Sequence, residues 1–177
     1  CGIVWSPPFR VDITDAVTLG QEAELSIHVT DPTNAGGQPV GKQSLTPGGI
    51  FYTPTSGIWQ TVWLEPVPQS YIRSYRVEPQ ADKNRALVRV ETEHFLDGQK
   101  VVASVLQNGR VVTSASGKAG APLMLFVKDG HLWTLEDPFL YDLEITIEGS
   151  NGKPLDKVKG YFGLRRTSVG PDENGVT

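Results

Sequence analysis

The sequence is poor in the residue types that build disulfides and metal sites. It contains one cysteine and three histidines in 177 residues. Cys1 has no second cysteine to pair with, so no disulfide can form within the chain. The histidines stand alone at positions 28, 94 and 131, without the HxH or HExxH spacing of a zinc site. We therefore expect no metal.

An excess of positive charge and long apolar runs are also missing. The chain has 16 Lys and Arg against 20 Asp and Glu, a net charge of -4, so we expect no surface that would hold a nucleic acid. The longest apolar runs, such as residues 123–127, are far shorter than the roughly 20 residues that cross a bilayer. No signal peptide is visible. We expect no membrane partner, and the compartment stays open.

Motifs of nucleotide binding and hydrolysis are absent as well. No serine stands in a Gly-x-Ser-x-Gly elbow, and no glycine pair continues into the Lys-Ser/Thr of a phosphate loop, so no cofactor is expected. A glycosidase needs two carboxylates about 5 to 10 Å apart, one with a raised pKa. The pairs close in sequence are Asp12/Asp15, Glu91/Glu93, Glu136/Asp137 and Asp172/Glu173. None stands in a recognisable pocket, so we assign no catalytic residue.

Alternation of apolar and polar residues indicates β-strands almost throughout. In the first 67 residues we predict strands at 9–14, 23–30 and 57–65, with a long loop rich in Gly and Pro after the second. Pro66 and Pro68 end the third strand and mark a domain boundary. Three strands are too few to bury two faces, so we expect this part to belong to a larger domain.

The rest of the chain predicts a second, complete β-domain. Seven strands are expected, at 71–79, 85–93, 99–107, 110–116, 122–127, 139–148 and 155–168. Turn sequences separate several of them, among them the Asn108-Gly109 pair of a tight hairpin. Seven short strands over about 100 residues are typical of an immunoglobulin-like β-sandwich. The polar, turn-prone end of the chain reads as a linker.

An aromatic-rich stretch, GGIFYTPTSGIWQTVWLEPVP at 48–68, supplies the candidate sugar contacts. They are Phe51, Tyr52, Trp59 and Trp63. Aromatic rings stack on sugar rings as readily as they fill a core. On the predicted strand both tryptophans share one face with polar residues, which favours covering a neighbouring domain over binding a ligand.

Four segments resemble glycoside hydrolase family 2 in sequence and in order. They are PFRVDITDAV at 8–17, SGIWQTVWLEPVP at 56–68, LWTLEDPFLYDLEITI at 132–147 and GYFGLRRTSV at 160–169. The family contains β-galactosidases, β-glucuronidases and β-mannosidases, built from a sugar-binding-type jelly roll, an immunoglobulin-like sandwich and a catalytic (β/α)8 barrel. The resemblance implies an all-β chain: the end of a jelly roll at 1–67, the sandwich at 68–169, and a linker towards the barrel at 170–177.

The resemblance also implies a function. The catalytic glutamates of the family lie on the barrel, so this chain would be inactive alone and would hold the jelly roll against the barrel of a β-galactosidase-like parent. Some members add a substrate-contacting Asp from the jelly roll. That position is Phe51 here, so the contact does not carry over, and the loop around Lys42 and Gln43 is the alternative.

Two other functions stay open on the residues alone. The chain could be a stand-alone carbohydrate-binding module that uses Tyr52, Trp59 and Trp63. It could also be an immunoglobulin-like domain that binds a protein partner, which would expose a large apolar patch.

Overall fold

The fold is all-β in a computed structural model that describes residues 8–37, 39–167, 169–171 and 175. The chain divides into two compact units, Cys1–Leu64 and Glu65–Thr177. Within the described residues no helix is long and apolar enough to cross a membrane. The described helical structure consists of two single 3₁₀ turns, Thr14–Ala16 and Ala81–Lys83.

The second unit is a two-layered antiparallel sandwich. Its strands are β1 (Tyr71–Gln80), β2 (Arg85–Glu93), β3 (Lys100–Gln107), β4 (Arg110–Gly117), β5 (Leu123–Phe126), β6 (Tyr141–Glu148) and β7 (Pro154–Phe162). One sheet has the order β1-β2-β5 and the other the order β4-β3-β6-β7. The seven predicted strands and the immunoglobulin-like β-sandwich are thus confirmed.

One predicted strand boundary is wrong. We expected the last strand to continue to residue 168, but β7 ends at Phe162. Its partner β6 begins at Tyr141, which pairs with Phe162, so the ladder has no further residue to pair with. The chain then bends away, and Leu164 forms an isolated bridge to Leu132 in the loop that precedes β6.

The core lies between the two sheets and follows the alternation of the strands. β6 has the clearest pattern, in which every second residue from Tyr141 to Ile147 is buried. Each fully buried aliphatic side chain contributes about 1.5–3 kcal/mol. The most deeply buried large side chains are Leu125, Leu143, Ile145, Ile147, Leu164, Val88, Val90, Val101 and Val105, together with Tyr141.

Two turns show why the predicted turn sequences suit this fold. Asn108 and Gly109 both have positive φ, 52° and 74°, as the two central residues of a type I′ hairpin require. Asn84 ends the 3₁₀ turn Ala81–Lys83 in the left-handed region, with φ 45° and its N–H donating to the Ala81 carbonyl. Both turns join strands that pair directly with each other.

The first and last strands of the sandwich lie next to each other although they belong to different sheets. β1 contacts β7, and the Tyr75 hydroxyl fills the place that a side chain at Gly160 would need. The Asp156 carboxylate of β7 accepts the backbone N–H of Ile72 in β1 at 2.7 Å. We call this contact the β1–β7 seam.

Three strands that we predicted near the start of the chain are absent from the structure. Residues 9–14, 23–30 and 57–65 contain no strand, and the described residues 8–64 hold only the isolated bridges Gln43↔Tyr52 and Gly48↔Phe51. Alternation defines two faces but supplies no neighbour for the backbone N–H and C=O groups, and a strand needs both. The apolar side chains of these segments are exposed, among them Phe9, Val11, Leu25, Ile27, Val29, Val62 and Leu64. The jelly-roll assignment stays a prediction.

Candidate functional site

The four predicted sugar contacts are all solvent-exposed. Trp59 is 80% exposed and Trp63 71%, while Tyr52 is 66% and Phe51 48% exposed. In the described part of the chain none of the four makes a ring contact with another aromatic side chain. The structure brings Phe51 and Tyr52 into one loop, and it does not join them to the two tryptophans. Their role in sugar contact stays a prediction.

The loop that carries Phe51 and Tyr52 is closed at its two ends by one carboxylate. Asp31 accepts the backbone N–H of Thr33 at 2.8 Å through one oxygen and the hydroxyl of Ser56 at 2.9 Å through the other. An aspartate that binds the backbone two residues on is a standard turn-former, and here it also holds residue 56. We call residues 31–56 the pinned loop.

Backbone hydrogen bonds position the aromatic pair inside the pinned loop. The Tyr52 N–H donates to the Lys42 carbonyl at 2.7 Å, and the Tyr52 carbonyl accepts the Ser44 N–H at 3.1 Å. The Gln43 amide oxygen accepts the N–H of Thr55 at 2.8 Å. Lys42 and Gln43, which the sequence offered as alternative substrate contacts, therefore flank Tyr52.

The tip of the pinned loop is a two-residue hairpin. Gly48 and Phe51 exchange backbone hydrogen bonds of 3.2 and 3.1 Å. Gly49, the first central residue of the turn, has φ 59°, a conformation for which glycine carries no steric cost. A glycine pair that gave no phosphate-loop signal in the sequence thus has a structural role, which is to present Phe51.

The two family-like segments of the sandwich pack on each other at one end of it. The Trp133 N–H donates to the Leu164 carbonyl at 3.0 Å. A Cβ on Gly163 would lie 3.1–3.2 Å from Trp133 side-chain atoms, so glycine is the residue that lets the indole approach. The Arg165 guanidinium lies 4.7 Å from the centre of a Trp133 ring, a cation–π distance.

A separate row of aromatic rings leads from His131, two residues before Trp133, into the core. The His131 ring stacks on Phe139 with centroids 4.2 Å apart, and Phe139 meets Tyr141 edge-on at 4.9 Å. The Tyr141 hydroxyl accepts the backbone N–H of His131 at 2.7 Å. His131 Nε2 lies 2.6 Å from an oxygen of Asp137. These contacts could not be predicted from residue spacing, because the loop that makes them is irregular.

Three carboxylates of the sequence pairs, Glu91, Glu93 and Asp137, serve as surface and turn contacts. Glu91 accepts the Ser74 hydroxyl at 2.9 Å and Glu93 an Arg73 guanidinium N–H at 3.1 Å, both across β1 and β2 on the outer face. Asp137 is held in a turn by the Thr134 hydroxyl and by His131.

Asp12, in the first carboxylate pair, has the wrong electrostatics for a general acid, which needs a raised pKa. The hydroxyl of Thr14, followed by its backbone N–H, lowers the pKa of Asp12 below its ordinary value. Asp172 and Glu173 lie outside the described residues. No group of three His, Cys, Asp or Glu that could hold a metal occurs in the described part of the chain.

The sandwich is the part of the chain that a known family matches. The model of "Glycosyl hydrolases family 2" matches residues 70–165, more than half of the chain. The chain belongs to glycosyl hydrolases family 2. The match includes the packed end of the sandwich, with Trp133, Gly163 and Arg165, while the resemblances at 8–17 and 56–68 lie outside it.

Within glycosyl hydrolases family 2 the chain is similar to proteins that are much longer. A β-galactosidase of Rhizobium meliloti is 24% identical over 156 residues, which cover 82% of this chain and 20% of that protein. A β-galactosidase of Halalkalibacterium halodurans is 28% identical over 122 residues, covering 63% and 12%. The chain thus spans about a fifth or less of the length of these relatives.

A solved structure is also similar in part. It is the β-glucuronidase from Ruminococcus gnavus in complex with D-glucuronic acid, 25% identical, with a TM-score of 0.44. The likeness covers 55% of this chain and 16% of that chain.

Proposed function

We propose that this chain is a non-catalytic part of a family 2 glycosidase and that its sandwich positions the first unit against a catalytic barrel of the parent. The observation that carries the proposal is that the family match falls on a sandwich in which Glu91, Glu93 and Asp137 are used in surface ladders and a turn. A glycosidase needs two carboxylates that face one substrate-sized space.

The activity that we propose for the parent protein rests on the names of the similar curated proteins. Curated proteins similar to this chain are named β-galactosidases and are at least about five times as long as the matched part. We propose that the parent hydrolyses an O-glycosyl bond with a β-galactosidase-like specificity. The matched region of the Rhizobium meliloti protein exceeds the sandwich, since it covers 82% of this chain.

Within this proposal the pinned loop contributes a wall of the substrate site. The loop is closed at Asp31 and Ser56, so its tip is held while Phe51 and Tyr52 stay exposed. Barrel active sites open at one face, where loops of neighbouring domains can reach. An aromatic wall would contact the apolar face of a sugar ring.

The proposal predicts that the purified chain hydrolyses no glycoside. We expect the release of nitrophenol from β-galactoside, β-glucuronide and β-mannoside substrates to equal the rate in buffer, because the residues that the structure describes offer no acid and nucleophile pair. Glu91→Gln and Glu93→Gln serve as matched variants. Turnover above the blank that either substitution abolishes would contradict the proposal, since it would make these glutamates catalytic.

A second candidate function is sugar binding by the chain itself. The exposure of Trp59 and Trp63 favours it, because large apolar rings are costly to leave in water without a partner. In this case, galactosides should change tryptophan fluorescence in a saturable way, with a Kd on the order of 1 mM. Trp59→Phe and Trp63→Phe should each weaken the response, and Trp133→Phe, inside the sandwich, should not. If none of the sugars changes the tryptophan fluorescence, this candidate function is rejected.

A further inference from the structure

The outer face of the β1-β2-β5 sheet is organised in cross-strand rows. Side chains that are directly opposite each other on antiparallel strands have Cβ atoms about 4.5–5.5 Å apart. Near one end, Ser74 bonds Glu91 directly opposite it, and Arg73, at the register shift of β1, bonds Glu93 in the adjacent row. Near the other end, Arg85 donates to Gln80 at 2.6 Å. These rows therefore pair a donor with an acceptor.

The central row breaks this arrangement. Arg76 on β1 stands directly opposite Arg89 on β2, and both side chains are exposed. In the part of the chain that the structure describes, neither guanidinium has an ion pair or a hydrogen bond. Like charges directly opposite each other destabilise a sheet. An anion between them would turn this repulsion into attraction on both sides.

The two arginines line a small cleft together with Leu87 and Glu78. Glu78 occupies the next row and accepts a hydrogen bond from Gln80 at 3.3 Å. Glu91, in the row on the other side, does not line the cleft, and its carboxylate accepts the hydroxyl of Ser74. Two guanidinium groups and the Glu78 carboxylate give the cleft a formal charge of +1. That charge suits a singly charged carboxylate better than a phosphate dianion.

We propose that Arg76 and Arg89 form a binding site for a carboxylate group. Guanidinium groups hold carboxylates through charge-assisted, often bidentate hydrogen bonds. The Leu87 side chain supplies the apolar floor against which the carbon next to the carboxylate rests. The carboxylate belongs either to a free small acid or to an acidic side chain of a polypeptide, and the same chemistry serves both.

The site is tested by following the arginine Nε–H signals of the whole 177-residue chain by NMR during titration. The probes are sodium acetate and the capped peptide acetyl-Gly-Glu-Gly-amide, with sodium chloride at equal ionic strength as the reference. We expect saturable shifts of the Arg76 and Arg89 signals with a Kd on the order of 10 mM at low salt. Tighter binding of acetate identifies a free acid as the source, and tighter binding of the peptide identifies a polypeptide side chain.

Three substitutions separate the site from general charge effects. Arg76→Gln and Arg89→Gln should each abolish the saturable shift of the remaining arginine. Arg73→Gln, on the same face but in an ion pair with Glu93, should leave binding unchanged. Glu78→Gln should tighten binding several-fold by removing the nearby negative charge. Shifts that do not saturate, that are equal at all exposed arginines, or that survive in Arg76→Gln would overturn the proposal.

Discussion

Replacing Tyr141 by alanine is expected to lower the free energy of unfolding of the sandwich by about 3–5 kcal/mol. Tyr141 is 2% exposed and is the largest of the fully buried side chains. It meets Phe139 edge-on and stacks with Phe162 at 5.7 Å between ring centres. Truncation would remove both ring contacts and leave a cavity where β6 begins, and the surrounding strands can fill such a cavity only in part.

Two variants test the origin of this effect. Tyr141→Phe keeps the ring and removes the hydroxyl that accepts the His131 N–H, so we expect a loss of about 1 kcal/mol. Tyr161→Ala removes the same side chain at a neighbouring position that is 69% exposed, and should change stability by less than about 0.5 kcal/mol. Urea unfolding followed by far-UV circular dichroism measures all three. Equal losses for Tyr141→Ala and Tyr161→Ala would show that the ring is not part of the core.

Replacing Asp156 by alanine is expected to cost about 1.5–3 kcal/mol by opening the β1–β7 seam. One Asp156 oxygen accepts the N–H of Ile72 at 2.7 Å and the other accepts the N–H of Lys157 at 2.8 Å. Ile72 is 8% exposed, so its N–H would lose its partner in a place with little access to water. The register of β1 shifts next to Ile72, which makes this side-chain bond a substitute for a regular ladder bond.

Hydrogen exchange distinguishes the seam from a general loss of stability. In Asp156→Ala the amide of Ile72 should exchange faster than in the unaltered chain by more than the global change in stability explains. Asp156→Asn keeps one acceptor oxygen, so the exchange rate of the Ile72 amide in this variant should lie between that in Asp156→Ala and that in the unaltered chain. Asp142→Ala, an exposed aspartate on the neighbouring strand β6, is the control and should leave the Ile72 amide protected. Unchanged protection of Ile72 in Asp156→Ala would contradict the role of the seam.

The strands of the sandwich could be predicted because the sequence signals that specify them lie close together along the chain. Strands that pair in the structure are often consecutive in the sequence, as β1 with β2 and β3 with β4. Turn residues such as Asn108 and Gly109 specify how such neighbours meet. The alternation then tells which face is buried, so the pattern alone located all seven strands.

The first unit and the site were harder to predict for a different reason. Residues 23–30 alternate as clearly as β6 does, but alternation cannot say where the pairing strand is, and no ladder forms there. The four aromatic candidates could be identified by residue type, and their exposure could not. The contact of Trp133 with Gly163 joins two segments thirty residues apart. Gly163 does not stand in a turn sequence, so nothing near it in the sequence predicts this contact.

The β1–β7 seam also determines how the sandwich would carry a mechanical load. The chain enters the sandwich at β1 and leaves it after β7, and these two strands touch through Asp156 and through Tyr75 against Gly160. Tension applied to the two ends of the chain would therefore act on one short line of contacts before it reached the core. Ile72 faces Asp156 and Tyr75 faces Gly160, so the two strands run in the same direction, and the chain enters at one end of the seam and leaves at the other. Such tension would shear these contacts along the strands instead of peeling them apart one by one.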